Sequence, residues 1–227
     1  MNSAFIALVL ATAPAELPDN PQADAICEIQ DTAQTGSLIF SKGDCLAVRV
    51  YTNSPYTHVA TIVRHPNGPS MVYDSMNGTG VRKLPLDDYL ATQSPDEVQI
   101  FHPKRKFNSA EKEEFIDHLE SQIGKPYSVK HHLTGKRCDG LHCAEYVTDA
   151  LAEIDWLKVK NSPRVSPASL AAGITLHNVY FAGSKVEVPA ILEPIPEPTG
   201  RCARMWLDTK VCVNRCGRQV SRWFLCR

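Results

Sequence analysis

The sequence predicts an α+β domain in which an antiparallel sheet packs on helices. Three observations predict it. Short apolar runs broken by turn residues fill the stretch from Gly36 to His102. Two amphipathic runs with marked ends follow, between Asn108 and Ile154. From Val186 the texture breaks, first to a Pro-rich and then to a Cys-rich segment. The 227 residues suffice for one domain with a sizeable core plus appendages. A net charge of −1 gives no global case for nucleic-acid binding, and no apolar run has the length of a membrane span.

Residues 1–15, "MNSAFIALVLATAPA", read as a secretory signal. Ala4 to Ala11 are apolar, and Ala13-Pro14-Ala15 supplies a small-x-small cleavage pattern before Glu16, although no Lys or Arg precedes the apolar run. A buried N-terminal helix or strand, or an uncleaved anchor, are the other readings. Eight cysteines are unusual in a reducing cytosol and fit export, so a secreted or periplasmic protein is expected. Residues 16–35 are polar and Pro-containing and read as a linker.

The domain is expected over 36–185. Leu38–Phe40 is a first strand and His58–Arg64 a second, closed by an Asn67-Gly68 turn. "SMVYDSM" is a third and Val98–His102 a fourth. "NSAEKEEFIDHLESQIG" is a helix capped by Asn108 or Ser109 and stopped by Gly124, with Phe115, Ile116, Leu119 and Ile123 on its apolar face. A long loop, Lys125 to His142, leads to a helix starting at Cys143, with Val147, Ala150, Leu151 and Ile154 at helical spacing. "NSPRVSPASLAAG" is a turn and a short helix, and "NVYFAG" a last strand. Residues 186–200 hold four prolines and read as an extended linker.

Cys143 is the first candidate for chemistry. Unpaired N–H groups and the dipole at a helix N-terminus stabilise a thiolate, which is the nucleophilic form of cysteine. A buried inert cysteine is the plain alternative. A nucleophile needs a base, and the base an orienting group. His58 opens an apolar strand from which a side chain projects toward a helix end. Asp74 lies among apolar neighbours on the next strand, in reach of the other imidazole nitrogen. A surface histidine and a turn-capping acid are the bland readings of these two.

Read together, "GSLIF", "SPYTHVATIV", "VYDSM", "LPLDDYL", "GKPY", "CAEYV" and "VSPASL" resemble, in that order, the circularly permuted papain-like amidases, the YiiX-like branch of the NlpC-type cysteine hydrolases. The resemblance covers about Gly36 to Tyr180. It implies a permuted papain-like fold in which the His strand precedes the Cys helix, an order that catalytic geometry tolerates. It implies Cys143 as nucleophile, His58 as base, Asp74 as the third polar residue, and Tyr127 of "GKPY" near the nucleophile, either helping the Cys143 N–H as an oxyanion donor or packing as an aromatic after the Pro turn. Ser37, Ala60, Asp74 and Ala144 depart from the residues usual in relatives. The implied reaction is hydrolysis or acyl transfer at an amide or ester; separately, a monomer is expected, and no cofactor or metal is called for. The implied substrates are cell-wall peptides or N-acyl lipids.

Two other readings stay open. The loop "KHHLTGKRCDGLHC" gathers His131, His132, Cys138, His142 and Cys143, residue types that bind zinc, though at none of the compact zinc spacings; Lys125, Lys130, Lys136 and Arg137 make it basic. Alternatively Cys143 is held in a disulfide and the chain is a non-catalytic binding module of the cell envelope. The tail, residues 201–227, spaces Cys202, Cys212, Cys216 and Cys226 as C-x9-C-x3-C-x9-C. That symmetry predicts a hairpin stapled by Cys212–Cys216 and Cys202–Cys226, with a four-cysteine zinc site as the alternative. The tail's basic character suits an anionic membrane or wall surface, or a solubilising cap packed on the domain.

Overall fold

The computed structural model describes residues 20–43, 45–66, 68–191 and 197–225, so the signal-like segment 1–15 and Cys226 lie outside the described residues. One antiparallel sheet organises it. Its strands are β1 (Leu38–Lys42), β2 (Tyr56–Val63), β3 (Met71–Met76), β4 (Gly80–Pro85), β5 (Glu97–Pro103) and β6 (Tyr180–Glu187), in spatial order β4-β3-β2-β1-β5-β6. The helices are α1 (Ala23–Thr32), α2 (Leu46–Thr52), α3 (Leu86–Gln93), α4 (Ser109–Ser121), α5 (Lys130–Thr134), α6 (Cys143–Glu153), α7 (Pro167–Leu176) and α8 (Arg201–Leu225).

Side chains alternate between the two faces of a strand, and here both faces are covered. Leu38, Phe40, Val59, Val63, Tyr73 and Phe101 pack on one side with Phe115 and Leu119 of α4, the apolar residues of α6, and Leu170 and Ile174 of α7. Ile39, Ala60, Ile62, Val72, Val98 and Ile100 pack on the other with Ile29 of α1 and Leu86, Tyr89 and Leu90 of α3. Burial on both faces is why "LIF" and "VATIV" read as unbroken apolar runs. Helix α4 is capped by Asn108 rather than Ser109. The Asn108 side chain accepts from the Glu111 N–H, and the Glu111 carboxylate accepts from the Asn108 N–H, each at 2.9 Å.

Several expectations are corrected. The N-terminal linker of 16–35 contains helix α1, anchored by the buried Ala25 and Ile29; two buried residues among charged ones make too thin a stripe to read. Helix α2 buries none of its residues, so it has no core-facing pattern to detect. The loop from Lys125 to His142 contains α5. The Pro-rich linker begins later than Val186, because Val186 and Val188 are buried and Val186 is paired in β6. The tail is one helix, α8, and not a hairpin. Its apolar residues recur every three or four positions, and that helical period outweighs the symmetry of the cysteine spacing. Cys202, Cys212 and Cys216 are free, exposed thiols, so neither proposed staple forms.

Candidate active site

The site sits where α6 meets strands β2 and β3. His142 is the N-cap residue of α6, in extended backbone, and its Nδ1 accepts from the Glu145 N–H at 3.3 Å. Its Nε2–H donates to the Pro163 carbonyl at 3.0 Å. Histidine is not a favoured cap, and here burial and the Pro163 contact fix the ring in place of a shorter polar residue. Cys143 follows as the first helical residue, 5% exposed and not disulfide-bonded. This removes the reading in which Cys143 is locked in a disulfide.

The preceding turn is held to the sheet and to the Tyr127 segment. Ser75 Oγ donates to the Leu141 carbonyl at 2.7 Å, and the Leu141 N–H donates to the Pro126 carbonyl at 3.0 Å. Tyr127 and Leu141 form a parallel bridge. Gly140 permits this approach: a Cβ there would lie 2.6 Å from Ser128 Cβ and 2.7 Å from the Pro126 carbonyl oxygen. Tyr127 is thereby fixed alongside Cys143, with which it shares the wall of one groove.

Strand β2 supplies His58 and β3 supplies Asp74. The His58 Nε2–H donates to Asp74 Oδ2 at 3.0 Å, which leaves Nδ1 for the Cys143 sulfur. Asp74 is 1% exposed and saturated with donors. Arg82 of β4, directly opposite Asp74 in the ladder, donates through Nε at 2.8 Å and Nη2 at 3.2 Å. Gln93, the last residue of α3, donates Nε2–H at 3.0 Å. Burial alone would raise the Asp74 pKa, but the hydrogen bond and charge of His58, then those of Arg82, hold it below the usual carboxylate range.

The thiol and imidazole are tuned in opposite directions. Burial raises the Cys143 pKa, but the His58 charge and hydrogen bonds from His142 and His58 overcome it and bring the thiol down to about 6. Burial lowers the His58 pKa, while the Cys143 charge and the Asp74 hydrogen bond carry it up to about 10. Between those values the pair is a thiolate and an imidazolium. His58 is the principal cation. His142 Nδ1 already accepts from the Glu145 N–H, so a hydrogen bond from that nitrogen to sulfur requires a protonated ring that has given up its cap. The Tyr127 pKa is raised by burial and by the Cys143 charge, so its hydroxyl stays protonated and able to donate.

Two cavities flank this centre. A groove of about 590 Å³ opens at Cys143, with Ala47, Val48, Tyr51, Val129, Leu133 and Phe224 among its apolar lining. A small cavity of mixed lining, about 70 Å³, with Ser41, Thr57, Asn77 and Gln93 in its wall, reaches His58 and shares Tyr127 with the groove.

The four residues picked from the sequence are therefore brought together. His142, Arg82, Gln93 and Ser75 were not singled out as members of the site. Arg82 carries a signal only once β4 is known to pair with β3, and Gln93 carries none. The loop's metal-binding residue types disperse. His132 stacks edge-on against Tyr51 and His142, with ring centres 5.4 and 5.5 Å apart, and the His131 side chain lies outside the described residues. Among the described residues no three His, Cys, Asp or Glu side chains converge on one point. Arg137 is engaged by the Asp149 carboxylate at 2.7 and 2.8 Å rather than offered to a ligand.

No curated protein is significantly similar to the chain. The crystal structure of the metalloprotein yiiX from Escherichia coli O157:H7 is similar to it at 19% identity, over 69% of this chain and 89% of that one, with a TM-score of 0.46. A family model described as permuted papain-like amidase enzyme, YaeF/YiiX, C92 family, matches residues 32–171, a span that runs from the end of α1 into α7 and holds Cys143, His58, Asp74 and Tyr127. The chain belongs to this family of permuted papain-like amidases.

Proposed function

We propose that the protein is a cysteine amidase that cleaves an N-acyl amide through an acyl-enzyme on Cys143. The observation that carries this reading is the juxtaposition of Cys143, at the start of α6, with the hydrogen-bonded His58–Asp74 pair, where Cys143 lines an apolar groove. The Cys143 thiolate attacks the substrate carbonyl, and negative charge moves onto the carbonyl oxygen. The Tyr127 hydroxyl and the free N–H groups at the start of α6 stabilise that oxyanion. His58 gives its Nδ1 proton to the leaving amine, and the C–N bond breaks to leave a thioester. The same nitrogen then takes a proton from water, which hydrolyses the thioester and returns the thiolate. Asp74, clamped by Arg82 and Gln93, holds the imidazole orientation through Nε2.

The groove favours an acyl chain over a cell-wall peptide. Its size is that of a pocket for a ligand of a few hundred daltons, and its lining beside Cys143 is mostly hydrocarbon and aromatic. The small cavity beside His58, with Ser41, Thr57, Asn77 and Gln93 in its wall, suits the amine half or the attacking water. Export through the signal-like segment 1–15 puts such a substrate in the cell envelope. The test is a trapped acyl-enzyme: the protein is mixed with a long-chain p-nitrophenyl ester or an N-acyl amino acid, quenched in acid and mapped by mass spectrometry. An acyl adduct on the Cys143 peptide, absent in Cys143→Ala, supports the reading. An alkylatable Cys143 that accumulates no adduct and releases no product from either donor sinks it.

A further inference from the structure

The C-terminal helix makes an unusual surface. At 100° per residue, Met205, Trp206, Val213, Val220, Trp223 and Phe224 fall within an arc of about 100°. All six side chains are 40–71% exposed. Leu207 and Val211, outside that arc, are the half-buried ones, so the strongly apolar stripe is not the side turned to the protein. Five arginines and one lysine against one aspartate occupy the rest of α8. Charge is segregated along the chain: residues 1–200 carry net −7 and residues 201–227 net +6.

The stripe is continuous with the mouth of the groove. Helix α8 packs on α2, and Phe224 lines the groove together with Tyr51 and Leu133. Around that mouth Tyr51 of α2, Val129 just before α5 and Leu133 within it are also exposed. Exposed apolar side chains from three helices therefore form one collar around the entrance to Cys143. A contiguous patch of this kind, backed by cations and carrying two exposed indoles, is the composition of a helix that lies in a bilayer interface. No helix among the described residues is long and apolar enough to cross a membrane, which suits docking in the interface rather than insertion through it.

We propose that α8 and the collar of α2 and α5 dock the protein on an anionic phospholipid surface, with the groove opening onto that surface. The apolar stripe and the two indoles enter the headgroup boundary, and the arginines meet lipid phosphates. Docking itself is independent of the chemistry at Cys143. Delivery of an acyl substrate from the bilayer into the groove rests on the function proposed above.

The test is co-sedimentation of the full chain with vesicles of phosphatidylcholine alone, or of one part phosphatidylglycerol to two parts phosphatidylcholine. Binding is expected to the anionic vesicles, weaker at high salt, with Trp206 and Trp223 fluorescence quenched by brominated lipid. Val213→Glu with Val220→Glu abolishes binding, and Arg201→Gln with Arg204→Gln and Arg215→Gln weakens it by about 100-fold, at about fivefold per cation. These positions are exposed, and circular dichroism confirms that the variants keep the fold. Cys143→Ala binds like the parent, so failure of the amidase reading and failure of docking are seen separately. No binding to anionic vesicles, binding that survives the paired glutamates, or a dimer in light scattering that those glutamates dissociate would each overturn the proposal. The dimer outcome would assign the stripe to a second copy of the chain.

Discussion

Removing the His58 imidazole is the sharpest probe of the site, and its effect can be worked out in advance. With the Cys143 thiol at about 6, about 90% is thiolate at pH 7. In His58→Ala the largest favourable influence is gone while burial and His142 remain, so the thiol rises toward the ordinary ~8.5, where about 3% is thiolate at pH 7. Thiolate is thus depleted about 30-fold. A more basic thiolate is also a better nucleophile; with a Brønsted slope of about 0.45, a rise of about 2.5 units returns roughly 13-fold. The net loss of alkylation rate at pH 7 is only about two- to threefold.

The midpoint, not the rate at one pH, carries the information. Alkylation of Cys143 by iodoacetamide, followed by peptide mapping with fragment-level assignment to separate it from the exposed Cys27, Cys138, Cys202, Cys212 and Cys216, is expected to rise through pH 6 in the parent and near pH 8.5 in His58→Ala. The curves cross: the variant is slower near neutrality and about tenfold faster at its alkaline plateau. A parent midpoint near that of an ordinary thiol, or an unchanged midpoint in the variant, refutes the ion pair and with it the reasoning about the site.

Three other substitutions test the surroundings. Asp74→Asn leaves the partly buried Arg82 guanidinium without its counter-charge, and the protein is expected to lose about 3 kcal/mol, the low end for a buried pair, in denaturant unfolding. Adding Arg82→Met restores much of that stability without restoring turnover, because the imidazole is still misoriented. Tyr127→Phe is expected to lower kcat by about 100-fold with little change in KM or melting temperature, since only an oxyanion donor is lost. His142→Ala costs about 1 kcal/mol of stability by uncapping α6, and His142→Asn, which can cap, recovers it. Turnover that recovers with the cap identifies His142 as a residue that positions the helix.

The sequence made much of the site legible because the chemistry falls where local patterns are strong. Cys143 starts an amphipathic helix with a strong apolar face, and His58 and Asp74 interrupt two apolar strands, so each stands out against its background. The strand pair β2–β3 was likewise readable from the Asn67-Gly68 turn. Arg82 was not, because "VRKL" offers only a short alternation whose inward member is a charge made tolerable by Asp74 on the neighbouring strand. Gln93 reaches Asp74 from a helix end, a contact set by tertiary packing alone. The tail misled because four cysteines in symmetric spacing suggest a staple. Cys212 and Cys216 are equally one helical turn apart, and Trp206, Val213 and Val220 repeat with a helical period.

The buried charges of the site form an alternating row, Arg82 positive, Asp74 negative, His58 positive and Cys143 negative, and this order has a kinetic consequence. The row is neutral overall, which limits the cost of taking four charges out of water. The negative charge of Cys143 is the largest influence raising the His58 pKa. Acylation of the sulfur removes it. Burial, which opposes the charged ring, is then less compensated, and the His58 pKa falls from about 10 toward that of an ordinary imidazole. The group becomes a stronger acid just as the leaving amine needs a proton, and afterwards a neutral base at the pH where water must be activated. Single-turnover kinetics with an ester substrate should therefore give two different profiles. Acylation rises through pH 6 and declines near pH 10, limits that belong to the thiol–imidazole pair as a whole. Deacylation, with the thiolate gone, rises through a single midpoint at least about two units below that alkaline limit. Equal midpoints for the alkaline limb of acylation and for deacylation would show that the thiolate does not govern His58, and the alternating row would lose its mechanistic meaning.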